Sequence, residues 1–90
     1  MPALTPALLI ELAGWAGSIA VLLAYALLST GRLRARSWAY QLMNVFGALG
    51  MAINGWAHMA LPSVFNNVIW ITIGLFALAR LLAGSARPQA

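Results

Sequence analysis

Three apolar stretches, separated only by short polar breaks, take up nearly all of this chain and leave it almost no surface for water. They run over about 7–29, 38–60 and 63–83, each at or above the ~20 residues that a helix needs to cross hydrocarbon at about 1.5 Å per residue. The 90 residues are 63% hydrophobic and 7% charged, with Glu11 as the one acid and five arginines. A soluble domain of this size needs a charged coat, and here there is none. The predicted fold is therefore an all-α membrane protein. It is expected as a three-transmembrane-helix bundle forming a single domain over 1–84, followed by a disordered cytoplasmic tail at 85–90. The first stretch lacks the basic flank of a signal peptide and is read as a retained helix. The absence of cysteine excludes disulfides and thiolate metal sites.

Charge placement sets an expected orientation. Arg32, Arg34 and Arg36 occupy the first connection, and Arg80 and Arg87 follow at the end of the third stretch and in the tail. With three spans, the first connection and the C-terminus share a side, and all five arginines lie there. The positive-inside rule places that side in the cytoplasm and the N-terminus outside, as in a multi-pass protein of a cell (inner) membrane. The net charge of +4 is thus a topology signal, and no nucleic-acid partner is expected.

Small residues mark the packing faces. Ala13, Gly17, Ala20 and Ala24 recur on the first helix, Gly47 and Gly50 on the second, and Gly74 on the third. Such stripes let backbones approach where no hydrophobic effect drives helices together. Three helices enclose little space, so a parallel homodimer of six is expected, with the lipid bilayer and a second copy as partners.

Polar groups at membrane depth are the functional candidates, because hydrocarbon satisfies none of their hydrogen bonds. Glu11, Asn54, Asn66 and Asn67 fall roughly 7–11 Å to the outer side of the span midpoints. Trp56 and Trp70 share that half. Amides beside indole rings suit a neutral polyol, so Asn67, Asn54, Trp70 and Trp56 are the expected substrate-binding set. Adjacent residues on a helix point about 100° apart. Asn67 shares a face with Gly74 and is expected to line the site, while Asn66 is expected to pack between helices. The alternative is that the amides only join helices, each for about 0.6 kcal/mol and up to 1–2. Glu11 is a candidate proton site, although its place in the first two turns also suits a wet interface. No Ser-His-acid set, metal-ligand cluster or phosphate loop is present, so neither enzymatic activity nor a metal or other cofactor is expected.

With its length, three spans, basic first loop and Leu61-Pro62 followed by Asn67, the chain resembles the SemiSWEET half-transporters of the PQ-loop class. That resemblance implies paired protomers, alternating access and a sugar-pocket role for Asn67. Where that family has Pro-Gln in its first helix, this chain has Ala24-Tyr25, and Met51 stands where its pocket tryptophan would be. The chain also resembles small bacterial three-helix membrane proteins with a Trp-Gly-rich first span. The expected function is facilitated transport of a small neutral polar solute such as a sugar. The alternative is a non-transporting structural or accessory membrane protein.

Overall fold

In the computed structural model the described residues are 4–84, so the tail at 85–90, with Arg87, lies outside them. They form three helices, α1 (Pro6–Ser29), α2 (Trp38–Ala57) and α3 (Leu61–Ala83). Each start has a local cause. Thr5 Oγ1 accepts from the Leu8 amide at 3.1 Å, and Ser37 Oγ accepts from the Tyr40 amide at 3.1 Å. Prolines occupy the first turns of α1 and α3, where no intrahelical N–H is required.

Both connections leave their helix through the same device. At the end of α1, Gly31 takes φ 78°, with Arg32 N–H donating to Leu27 O and Gly31 N–H to Leu28 O. At the end of α2, Met59 takes φ 56°, with Ala60 N–H donating to Gly55 O and Met59 N–H to Trp56 O. These are Schellman ends, which favour glycine in the left-handed position. The second turn brings α2 to a stop at Ala57, three residues short of the expected 60, and lets α3 begin at Leu61. A side chain in that conformation costs roughly 1–2 kcal/mol. Met59→Gly is therefore expected to raise stability by about 1 kcal/mol, read from denaturation in mild detergent; an unchanged or lower stability would show that the turn carries no such strain.

The three helices form a layer. α2 lies in the middle and packs on both neighbours, and α1 and α3 do not pack on each other. Successive helices are antiparallel: Gly14 meets Asn54 and Gly17 meets Gly47, while Gly55 meets Val64 and Gly74 meets Val45. The α1–α2 contact is backbone against backbone. A Cβ on Gly17 would strike the Gly47 carbonyl oxygen, and one on Gly47 would lie 2.8 Å from the Gly17 oxygen. The α2–α3 contact is formed around Val45, Ala48 and Ala52, with Asn67, Gly74 and Leu78 also buried.

Small residues fill the inside and large apolar ones cover the outside. No large side chain is fully buried among the described residues, whereas Leu12, Ile19, Phe46, Phe65 and Phe76 are among many at least half exposed. α1 and α3 are long and apolar enough to cross a membrane, and only 11% and 17% of those segments is buried. A soluble core helix of that composition would be mostly covered. α2 has 20 residues and no charged side chain, but Gln41, Asn44 and Asn54 lower its hydropathy. By length and hydropathy, two helices qualify as spans where three were expected.

A polar trough on one face of the layer

Glu11, Trp15 and Ser18 recur at steps of four and three, which puts them on one side of α1. Opposite them on α2 stand Met51 and Asn54, and Ser63 enters from the first turn of α3. Together with Gly14 these residues line an open trough of about 320 Å³. α2 is its floor and the flanking helices its walls. The reverse side of α2 is different in kind. Phe46, Leu49 and Ile53 lie about 140–200° around the helix from Met51 and are all exposed.

Hydrogen bonds order the trough. Asn54 Nδ2 donates to the Ile10 carbonyl of α1 at 3.0 Å, and its side chain lies where Gly14 has no Cβ. Any side chain at Gly14 would displace it, since a Cβ there would fall 2.6 Å from Asn54 Cγ. Trp15 Nε1 donates to Glu11 Oε1 at 3.2 Å, and His58 Nε2 stands 3.6 Å from Glu11 Oε2. That exposed pair contributes little to stability.

The expected site residues divide. Asn54 and Glu11 line the trough. Trp56 and Trp70 are exposed, at 65% and 53%, and neither lines it. Asn67 is 2% exposed against α2 and donates to Ser63 O at 2.9 Å and Ser63 Oγ at 3.3 Å. Within the chain Asn67 is thus the packed residue and Asn66 the outward one, the reverse of the expected division. Gln41 donates to Ala35 O and Asn44 to Tyr40 O, so Asn66 is the one carboxamide without a hydrogen bond among the described residues. It lies about 60° around α3 from Ser63, on the trough side of the layer. Only Asn54 joins two helices by its amide among the described residues, so the role of helix joiner falls to that residue. Gly17, Gly47 and Gly74 are at helix contacts.

Trp15, Ser18, Met51 and Ser63 were not among the expected site residues. The spacing of Glu11, Trp15 and Ser18 carried a signal for the first wall; nothing local placed Ser63 beside it. Arg32, Arg34, Arg36 and Arg80 lie at the opposite end of the layer from Glu11, with the Arg80 guanidinium 5.7 Å from the Phe76 ring centre. No group of three or more His, Cys, Asp or Glu is placed to hold a metal among the described residues.

Fold and site together define a small all-helical protein with two helices of membrane-crossing length and a polar trough on one face. Residues 10–86 match the model of a protein family, and the chain belongs to that family. No curated protein and no solved structure matches it.

Proposed function

We propose that the chain is a multi-pass membrane protein in which all three helices cross the bilayer. In this reading two copies face each other across their troughs and pass a small polar solute, as the resemblance to half-transporters implies. The observation that supports it is the facial division of the layer: polar groups of all three helices gather at the trough, while the reverse face is apolar. Such a division suits lipid on one side and a second copy on the other. The Asn66 amide on the trough side, without a hydrogen bond among the described residues, adds to this, because a carboxamide without partners costs energy in hydrocarbon. α2 lies between two apolar helices, which shelter its amides from lipid. The arginine end faces the cytoplasm and the Glu11 end the outside.

The test is flux of labelled glycerol and monosaccharides from proteoliposomes. Ser18→Leu puts an apolar side chain into the trough and is expected to cut flux about tenfold or more, with the cross-linked dimer retained. Flux unchanged by Ser18→Leu would remove the trough from the pathway. A second reading, an accessory protein whose amides hold helices together, is favoured by the Asn54 bond to Ile10 O. Absence of flux for every solute, with the dimer intact, would leave that reading.

A further inference from the structure

The trough holds the only acidic side chain in the sequence, and an indole ring is fixed to it. Glu11 accepts from Trp15 Nε1, so the ring is held beside the charge with the rest of its π-surface open, the residue being 66% exposed. A carboxylate has about four lone-pair positions, and one hydrogen bond with one distant imidazole leaves positions free. Neutral oxygens complete the lining. Asn54 uses its Nδ2 on Ile10 O, which leaves its Oδ1 as an acceptor, and the Ser18 and Ser63 hydroxyls lie along the same trough. Among the described residues His58, at 3.6 Å, is the one other titratable group at Glu11, and the arginines are at the far end of the layer.

We infer that this trough binds a small alkylated ammonium ion, with Glu11 supplying the counter-charge and Trp15 a ring face. The inference rests on the reading of the trough as a solute site and changes the solute from neutral to cationic. An indole beside a carboxylate is the combination that recognises an organic cation, since the ring quadrupole attracts it as the carboxylate does. A single acid is too little for calcium or magnesium, which take about six to eight oxygens, and no group of three or more His, Cys, Asp or Glu is placed to hold another metal among the described residues. A volume of about 320 Å³ is at the small end of ligand sites. The ammonium can come from a free solute or from a choline headgroup of the bilayer, and both present the same chemistry.

The experiment titrates tetramethylammonium chloride into the full chain, once in maltoside micelles and once in phosphatidylcholine nanodiscs. Calorimetry and the Trp15 indole N–H resonance are followed, with sodium chloride at equal ionic strength as the blank. Saturable binding that shifts the Trp15 signal is expected in micelles. Saturation in nanodiscs too identifies a free solute as the ligand, and its loss there identifies the choline headgroup. Glu11→Gln keeps an acceptor for Trp15 and is expected to weaken binding about tenfold, and Trp15→Leu about two- to fivefold. No saturable binding in micelles, or equal binding by Glu11→Gln, overturns the inference. Flux of glycerol or a monosaccharide without ammonium binding would do so while leaving the transport reading intact. Ammonium binding without any flux would retain the site and remove transport.

Discussion

Gly17→Val is expected to separate α1 from α2. The position has no room: a Cβ there meets the Gly47 carbonyl oxygen and comes within 3.1 Å of the Met51 amide nitrogen. Both obstacles are backbone, so no rotamer change relieves them, and the helices must move apart. Overpacking of this kind costs about 1–3 kcal/mol and occasionally more. Here the loss extends along the seam, because Gly50 against Ala13 and Asn54 against Gly14 depend on the same close approach. We expect a loss of about 3 kcal/mol in reversible denaturation, together with loss of a disulfide engineered between α1 and α2. Gly55→Ala is the matched control. Its Cβ would lie 3.2 Å from a Val64 methyl, a side-chain atom that can shift, and the expected cost is under about 1 kcal/mol. Equal stability of Gly17→Val and the parent chain would show that α1 and α2 do not meet along Gly17 and Gly47.

The second large effect concerns orientation. Arg32, Arg34 and Arg36 lie in the eight-residue connection between α1 and α2, all exposed. On the proposed placement they hold that connection in the cytoplasm. Replacing all three with Gln while adding Ala7→Arg and Leu8→Arg moves the positive bias to the other end and leaves position 4 free for a reporter. Most molecules are then expected to insert upside down. The chain has no cysteine, so single cysteines at Leu4 or Gly84 report sidedness to an impermeant maleimide without background. In the parent the Leu4 position should label from outside about tenfold faster than Gly84, and the order should reverse in the variant. Unchanged labelling would mean that something other than the arginines sets the topology.

Much of the fold was legible because its causes are local. Apolar run lengths placed the helices, and Thr5, Ser37 and the prolines mark their starts. The small-residue stripe containing Gly17 and Gly47 pointed to a close contact before any partner was known. What was not legible depends on register between distant segments. Asn54 reaches Ile10 across 44 positions of sequence, and no local pattern says which turn of α1 meets which turn of α2. The Asn66–Asn67 pair shows the same limit. Periodicity separates the two by about 100° but does not say which one faces α2; the packing of Ala48 and Ala52 decides that. The early end of α2 was missed because a left-handed Met59 stands where glycine is the usual signal. The open layer, too, is a property of pairing order that run lengths leave free.

The central place of α2 has a consequence for biogenesis. α1 and α3 are each long and apolar enough to cross a membrane, and on the proposed placement each would partition from a translocon into lipid unaided. α2, with three amides, is the least suited to enter alone, and it is also the helix that both others need as a surface. On the proposed placement α2 would enter with α1 as a hairpin, zipped by Gly17 and Gly47, and would remain half-clad until α3 leaves the ribosome. A nascent chain stalled before α3 would therefore present Ala48 and Ala52 as a bare groove, the natural point of capture for a membrane chaperone or a quality-control protease.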